Sequence, residues 1–332
     1  MISLFPKAET PISQKLVKKM KAKGMTAASP IMIRIFKEES ELEVWKQTDK
    51  GEYDLLETYQ ICKWSGKLGP KFKEGDRQAP EGFYTINPYQ MNPKSDYYLS
   101  FNIGFPNSYD RANGRTGSNL MVHGACSSAG CYSMTDERIG EIYSLAREAF
   151  KGGQKSFQVQ AFPFRMTPEN MALHKDDPNF EFWKMLKEGS DHFAITHHPP
   201  KVDVCDRQYV FNRIAEDEKD FKPTRACPET TTPDSLALAY SQKVTKDEEV
   251  FEEVLKKKAI RDLFAGKTSV ANISQDTNTA PAAAAAQPAE ESAATTTNAG
   301  EAVPVPQPSP LSAEAASAKK KNWLQRLFSP KG

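Results

Sequence analysis

Residues 123–131 read HGACSSAGC and bring an imidazole, two thiols and two glycines into one short segment. A cysteine nucleophile needs a base close to its thiol, and glycines let backbone N–H groups approach a developing oxyanion. We therefore predict Cys131 as a nucleophile and His123, the nearest imidazole in the sequence, as its base. Gly124 and Gly130 would allow the turn between them.

Reactivity sets a further condition on this segment. The pKa of an ordinary cysteine is about 8.5, so Cys131 needs a positive group close by to be ionised to a thiolate at neutral pH. His123 and the N–H groups of a following helix are the expected sources. The N–H of Cys131 would donate to an oxyanion, and Ser128 could hydrogen-bond the loop or a substrate.

Two other interpretations of the segment stay open. The His and Cys could belong to a glycine turn at a strand end that has no catalytic role. A zinc site would use His123, Cys126 and Cys131 with His197 or His198, but the paired Cys-x-x-Cys spacing is missing. Without a metal, we expect Cys126 to be a small buried residue or a thiol behind the nucleophile.

The elements around the segment predict a sheet followed by a helix. From Pro30 the pattern alternates or runs apolar in short stretches between turns, which is typical of strands: IMIRIF, LEVWKQ, YDLLETYQICKWS, GFYTI and YYLSFNIGF. The candidate nucleophile then lies at a strand end. Thr135 caps a helix that runs through Phe150, so the nucleophile precedes a helix N-terminus.

The rest of the chain predicts more helices and a tail. SFQVQAF is a returning strand, Asp177 opens a helix that ends before Gly189, and Thr245 with Glu248 forms a capping box for a last helix. From about Thr268 the sequence is rich in Ala, Pro, Thr and Ser and cannot bury enough apolar surface to fold.

These elements predict an α+β fold in four segments. They are an N-terminal helix that starts at Thr10-Pro11 with its lead-in (1–29), a core (30–164), a helical extension packed on it (165–266) and a disordered tail (267–332). The tail ends in a basic stretch that contains four large apolar residues, Trp323, Leu324, Leu327 and Phe328. This stretch is either a solvated terminus or a contact for a membrane surface or a partner.

Composition excludes some functions and leaves others open. The net charge of +1 gives no reason to expect a nucleic-acid partner. No stretch approaches the roughly 20 apolar residues of a membrane span, and the start lacks the apolar core of a secretory signal. We expect either a cytosolic protein or a chain that begins after a removed leader. Of the five cysteines, Cys205 and Cys227 lie in loop-like sequence and are either a disulfide or two thiols.

Three motifs resemble those of the L,D-transpeptidases with a YkuD-type catalytic domain, and within them the YafK-like branch. They are GDRQAPEGFYTINP (75–88), LSFNIGFPNSYDR (99–111) and HGACSSAGCYSM (123–134). The order and spacing of the motifs also match, and the resemblance covers roughly residues 30–164. Three linked motifs are far more specific than Ser-x-Gly-Cys alone.

The resemblance implies a mostly β, sandwich- or barrel-like catalytic domain that needs no cofactor. Its cysteine attacks the carbonyl of an L-to-D bond in a peptidoglycan stem peptide that contains diaminopimelate, and the thioester is resolved by an amine or water. Carried over, Cys131 is the nucleophile, His123 the base, Gly130 and Cys131 the backbone donors, and Ser128 the motif serine. The residues expected to line the substrate groove are Gly124, Tyr84, Asn107, Tyr109, Arg111 and Arg115.

This chain departs from the commoner family pattern at Ser133, where many members carry an arginine. Another cation, Arg111 or Arg115, would then have to bind a substrate carboxylate. The YafK-like branch is also similar to hydrolases that detach a protein from diaminopimelate, so a wall-linked outer-membrane protein is a possible partner. A non-catalytic wall-binding scaffold is the remaining alternative. The substrate implies a periplasmic location.

Overall fold

The computed structural model describes residues 6–127, 130–216 and 220–273, with side chains of the last helix described as far as Phe264. It contains fourteen strands and six α-helices in those ranges. Ser128 and the predicted tail contact at Trp323, Leu324, Leu327 and Phe328 lie outside the described residues.

The first sheet has five strands and forms the centre of the molecule. Its strands are β1 (Ile31–Phe36), β2 (Glu41–Gln47), β3 (Tyr53–Gln60), β5 (Gly82–Ile86) and β10 (Phe157–Phe162). The strand between β3 and β5 in the chain, β4 (Lys63–Trp64), belongs to the second sheet. Their order is β3-β2-β1-β10-β5, with β1 and β10 parallel and the other neighbours antiparallel. The apolar sequence of β1, interrupted only at Arg34, follows from burial on both faces of the sheet.

The second sheet also has five strands, all short, and carries the candidate nucleophile. It is formed by β4 with β6 (Met91–Asn92), β7 (Ser100–Asn102), β8 (Met121–His123) and β9 (Tyr132–Ser133), in the order β4-β9-β8-β7-β6. The pair β8 and β9 is parallel, although only the short HGACSSAGC segment connects them. Neither sheet closes into a barrel among the described residues.

Helices cover both faces of the first sheet. They are α1 (Gln14–Ala22), α2 (Ser108–Ala112), α3 (Asp136–Lys151), α4 (Pro168–Leu173), α5 (Phe180–Thr196) and α6 (Asp234–Ile273). Ile139, Ile142 and Leu145 of α3 share a core with the Ile residues of β1, whereas Phe193 of α5 packs with Met32 on the other face. The predicted cap at Thr135 is confirmed, because its side chain accepts from the N–H of Arg138.

Two predicted helix starts are wrong. The first helix is capped by Ser13, whose side chain accepts from the N–H of Leu16, so it begins after Thr10-Pro11. The last helix begins at Asp234, and Thr245 lies within it, where its hydroxyl donates to the carbonyl of Ser241. A Thr–Glu pair at capping-box spacing also occurs inside helices, and α6, which packs on α4 and α5, contains this pair well after its start.

The predicted helical extension also contains two small antiparallel sheets. They are formed by β11 (Val202–Cys205) with β12 (Gln208–Phe211) and by β13 (Ile214–Ala215) with β14 (Thr230–Thr231). α6 continues to Ile273, beyond the predicted boundary at residue 266. No helix in the described part of the chain is long and apolar enough to cross a membrane.

Two disulfides form. Cys205 is bonded to Cys227, which resolves the alternative left open by the sequence. Cys62, just before β4, is bonded to Cys126 in the HGACSSAGC segment. Cys131 is the cysteine that keeps its thiol.

Candidate active site

The pairing of β8 with β9 brings His123 and Cys131 to the same face of the second sheet. Val122 pairs with Tyr132 and His123 with Ser133. Continuing this register by one residue aligns Cys131 with Met121, whose N–H donates to the Cys131 Sγ over 3.4 Å. Side chains alternate along strands, so His123 and Cys131 point to one face, with Cα atoms about 8 Å apart.

His123 is held in one tautomer by its own neighbour. Its Nδ1 lies 2.6 Å from the carbonyl oxygen of Gly124, and because a carbonyl only accepts, Nδ1 carries the proton and donates it. The Nε2 atom therefore has the lone pair that a base requires. The imidazole is 4% exposed, and its burial lowers the pKa of His123 despite the bond to Gly124.

The sulfur of Cys131 is partly exposed, and burial raises the pKa of its thiol. The Met121 N–H and the charge of Lys71 oppose part of this rise. A low pKa for His123 and a high pKa for Cys131 leave both groups neutral at neutral pH. His123 was expected to supply the positive charge, but the resting pair is a neutral imidazole and a thiol, so the imidazole can serve as a base only by taking the thiol proton.

The residues that directly follow His123 are held by several hydrogen bonds. Met134 N–H donates to the carbonyl of His123 over 2.7 Å, and Cys126 N–H donates to the carbonyl of Met134 over 3.1 Å. The Asp136 carboxylate, in the first turn of α3, accepts from the N–H of Ala125 over 2.8 Å. We call residues 124–131 the His–Cys loop, and these bonds fix its first three residues against the start of α3.

The expectations for Cys126 are corrected by its disulfide. Cys126 is exposed and bonded to Cys62, so it is neither a small buried residue nor a thiol behind the nucleophile. The sequence could not give this pairing because Cys62 lies 64 positions away. A disulfide sulfur is not a thiolate ligand, so the zinc alternative loses Cys126. Among the described residues, no group of three or more His, Cys, Asp and Glu is arranged to hold a metal.

The loop glycine before the nucleophile is buried. Gly130 has φ +130°, a region that residues with side chains rarely adopt. Its predicted role, with Cys131, as a backbone donor stays a prediction. So does the role of Ser128, which lies outside the described residues.

Two of the predicted groove residues lie inside the fold, and a third caps a helix beside them. Tyr84 is 1% exposed, and its hydroxyl bonds to Asp110 over 3.2 Å. Tyr109 is 6% exposed and stacks on Tyr209 with ring centroids 4.3 Å apart. Asn107 caps α2 and donates to the carbonyl of Phe83 and the hydroxyl of Tyr209. In this structure their side chains support the fold next to the site.

The two candidate arginines differ in their surroundings. Arg115 is buried, forms an ion pair with Asp110 over 2.9 Å, and lies over the rings of Phe72, Tyr109 and Phe182. Arg111 is exposed and donates to the carbonyl of Pro106. Arg111 is therefore the one of the two that can reach a substrate carboxylate without breaking a buried ion pair.

Sequence reasoning missed two residues at the site. The ring of Tyr97, half exposed, lies 4.8 Å from the His123 ring, and its carbonyl accepts from the N–H of Gly124. Its position just before the LSFNIGF motif was a usable signal. Lys71, whose charge acts on Cys131, lies in a loop far upstream with no motif of its own.

The fold and the motifs around the candidate site belong to one known class of protein. The model of the YkuD family, the L,D-transpeptidase catalytic domain, matches residues 43–160. The chain is 46% identical over 204 residues to the "Putative L,D-transpeptidase YafK" of Escherichia coli strain K12 and to that of strain O157:H7, covering 61% of this chain and 80% of each relative. The chain belongs to the YkuD family of L,D-transpeptidases, as the motifs predicted.

Two solved structures show more distant likeness. The helical cell shape determining protein Pgp2 from Campylobacter jejuni is 19% identical, with a TM-score of 0.33 over 57% of this chain and 80% of that one. Bd1075 of Bdellovibrio bacteriovorus is 18% identical, with a TM-score of 0.30 over 60% of this chain and 82% of that one. Family membership makes this chain a peptidoglycan-modifying enzyme and points to an extracytoplasmic location.

Proposed function

We propose that this chain is a cysteine L,D-transpeptidase that acts on peptidoglycan stem peptides containing diaminopimelate through a thioester on Cys131. The observation that carries the proposal is the tautomer of His123. With Nδ1 bonded to Gly124, Nε2 carries the lone pair, and the side chains of His123 and Cys131 share one face of the sheet. The three sequence motifs and the printed name of the E. coli relative support the reaction class.

In the first half-reaction, His123 Nε2 takes the proton of the Cys131 thiol as Sγ attacks the carbonyl carbon of the L-to-D peptide bond. The carbonyl oxygen becomes an oxyanion, for which the N–H groups of Gly130 and Cys131 are the proposed donors. The imidazolium then returns the proton to the leaving amine as the C–N bond breaks. The result is a thioester on Cys131 and a released D-residue.

In the second half-reaction, His123 removes a proton from the acceptor, which attacks the thioester carbonyl. The C–S bond breaks, and the displaced Cys131 sulfur takes that proton from the imidazolium, which restores the thiol and the neutral imidazole. An amine acceptor gives a new crosslink or an exchanged D-amino acid, and water gives hydrolysis. The hydrolytic reaction is the alternative for this chain, because the YafK-like branch resembles enzymes that release a protein from diaminopimelate. A wall-linked outer-membrane protein is the partner in that case.

We also propose a periplasmic location. Disulfides persist in oxidising compartments, and four of the five cysteines are paired. The proposed substrate is in the same compartment. Arg111 is the proposed contact for a carboxylate of the stem peptide, because it is exposed beside the site motifs.

The test is to incubate the purified chain with muropeptides and identify the products by mass spectrometry, with Cys131→Ala as the matched control. Crosslinked dimers or exchanged D-amino acids support transfer. Released stem peptides, or released protein from protein-bound muropeptides, support the hydrolytic alternative. If wild type and Cys131→Ala give the same products, the enzyme proposal fails and the wall-binding scaffold remains.

A further inference from the structure

We propose that Lys71 is a positioning residue of this site: its buried ammonium group, held by Asp76 over Gly117, supplies the positive charge that stabilises the sulfur of Cys131 as its proton leaves. The proposal rests on the proposed role of Cys131 as the nucleophile. It assigns the cation of the site to a lysine that lies just before the first family motif, and the motif itself contains its partner Asp76.

Lys71 is fixed rather than mobile. Its side chain is 4% exposed, and its Nζ donates to the Asp76 carboxylate over 2.5 Å and to the carbonyl of Lys73 over 3.0 Å. Burial would raise the pKa of Asp76, but the bond from Lys71 and three backbone N–H groups bring that pKa below its ordinary value. Asp76 is therefore ionised at neutral pH and holds the ammonium group in place.

The same stretch of backbone touches both Lys71 and Cys131. A Cβ atom on Gly117 would lie 2.7 Å from Lys71 Cε and 3.7 Å from its Nζ. The lysine side chain therefore packs directly against the backbone of Gly117, where a residue with a side chain would not fit. Two residues later the Asn119 carbonyl lies 4.0 Å from the Cys131 Sγ, and the Met121 N–H donates to that sulfur. Lys71 and Cys131 thus flank one short segment, residues 117–121.

The loop that carries Lys71 is anchored at two places. Next to the lysine, the carbonyl of Phe72 accepts a hydrogen bond from the N–H of Thr116 over 3.0 Å. Further along, the fully buried Lys37 forms an ion pair with Glu81 over 2.8 Å and donates to the carbonyl of Gly69 over 3.0 Å. A rigid loop lets a charge act on the site without reorganising, which is where preorganised electrostatics are most effective.

The site has a need for this charge. His123 is neutral at rest, because burial lowers its pKa, so it offers no positive charge until it has taken the proton. Burial raises the pKa of Cys131, and the charge of Lys71 opposes that rise. When the S–H bond breaks, the proton goes to His123 Nε2 and the electron pair stays on sulfur. Lys71 gives up no proton and acts only through its field.

The test is a titration of Cys131 by its rate of alkylation with iodoacetamide, measured across pH without reductant so that the two disulfides stay closed. Mass spectrometry assigns the label to Cys131. Lys71→Met should move the midpoint upward by about one pH unit and slow alkylation at neutral pH by about tenfold, as expected for loss of one charge at this range. Lys71→Arg, which keeps the charge, should stay close to wild type.

Two controls keep the result interpretable. Lys184→Met removes a lysine that pairs with Glu181 on the surface of α5 and should leave the titration unchanged. If Lys71→Met alone fails to fold because Asp76 is left uncompensated, the double variant Lys71→Met with Asp76→Asn removes both charges and is measured in its place.

A folded Lys71→Met or double variant with the wild-type midpoint overturns the proposal, even if its KM for muropeptides rises, since the lysine would then bind substrate. An equal shift in Lys71→Met and Lys71→Arg also overturns it, because the role would be structural. The titration needs no turnover, so failure of the proposed reaction is seen separately, as product formation that does not depend on Cys131.

Discussion

Gly124 and Asp136 approach each other so closely that a Cβ atom on the glycine would lie 2.5 Å from the Asp136 Oδ1. The same Cβ would lie 2.8 Å from the carbonyl oxygen of Tyr97. Gly124 also provides the carbonyl that holds the His123 tautomer. The glycine of the His-Gly pair is therefore a packing requirement of the base as well as a turn residue.

Gly124→Ala should lower the free energy of unfolding by about 1–3 kcal/mol and reduce activity, because the added methyl must displace Asp136 or Tyr97. Gly140→Ala is the matched control. Its Cβ would meet Tyr98 at an ordinary 3.7 Å, and it lies within α3, where alanine is the better helix former by about 1 kcal/mol. Thermal unfolding and product formation of both variants check this. Equal stability of Gly124→Ala and wild type would contradict the packing argument.

His123→Ala should reduce kcat/KM for muropeptides by about a hundredfold to ten-thousandfold, the usual contribution of a general base. His198→Ala is the control, since His198 is an exposed histidine whose Nδ1 bonds to a backbone carbonyl. Initial rates with both variants, at equal folded fractions, give the comparison. A loss of less than about threefold in His123→Ala would show that another group takes the thiol proton.

The dependence of kcat/KM on pH should follow the titration of His123 and Cys131, whose pKa values are both shifted by burial. Protonation of His123 removes the base, and burial lowers its pKa below 6.5, so activity should fall only when the pH drops below that value. Burial raises the pKa of Cys131 above 9.0, so the alkaline limb should lie above it. Rates measured in buffers of constant ionic strength check both limbs. An acidic midpoint above 7 would contradict the lowered pKa of His123.

The two disulfides should have different effects when removed. Replacing Cys62 and Cys126 by serine opens a loop of 64 positions and should cost about 4 kcal/mol, against roughly 3 kcal/mol for the 22-position loop of Cys205 and Cys227. Only the first change should also reduce activity, because Cys126 is in the His–Cys loop. Urea unfolding and muropeptide assays of both double variants test this. Full activity without the first disulfide would refute its role in shaping the loop.

Truncation after Gly266 should leave the melting temperature nearly unchanged. The cut removes the last residues of α6, and the side chains just before it are exposed: Ile260 at 55%, Leu263 at 64% and Phe264 at 66%. Little apolar contact is therefore lost. Differential scanning calorimetry of the shortened chain gives the answer. A drop of more than about 5 °C would mean that residues after Gly266 pack on the domain.

Local patterns in the sequence predicted much of this fold. The alternating stretches from Pro30 became strands, and Thr135 capped the helix, because both signals act over a few neighbouring residues. The start of α6 was missed because a Thr–Glu pair at capping-box spacing occurs within this helix as well as at helix starts. Such a short pattern is a weak guide to where a helix begins.

At the candidate site, too, the sequence predicted only residues that are close neighbours in the chain. His123 and Cys131 share one motif, so they could be found together. Lys71 and Cys62 reach the site only through folding, and no spacing rule connects them to it. Tyr84 and Tyr109 were predicted for the groove because they adjoin matching motifs, but the structure uses them in packing. A motif marks where residues matter without saying whether they contact substrate or hold the fold.

The Cys62–Cys126 bond also requires that Cys62 pair with the correct one of two neighbouring cysteines during folding. Cys126 and the proposed nucleophile Cys131 are close neighbours in the chain, so an oxidant that acts on the unfolded loop meets two competing sulfurs. A bridge from Cys62 to Cys131 would block the proposed nucleophile and leave the Cys126 thiol exposed. The yield of correctly folded protein should therefore depend on disulfide isomerisation, not on oxidation alone.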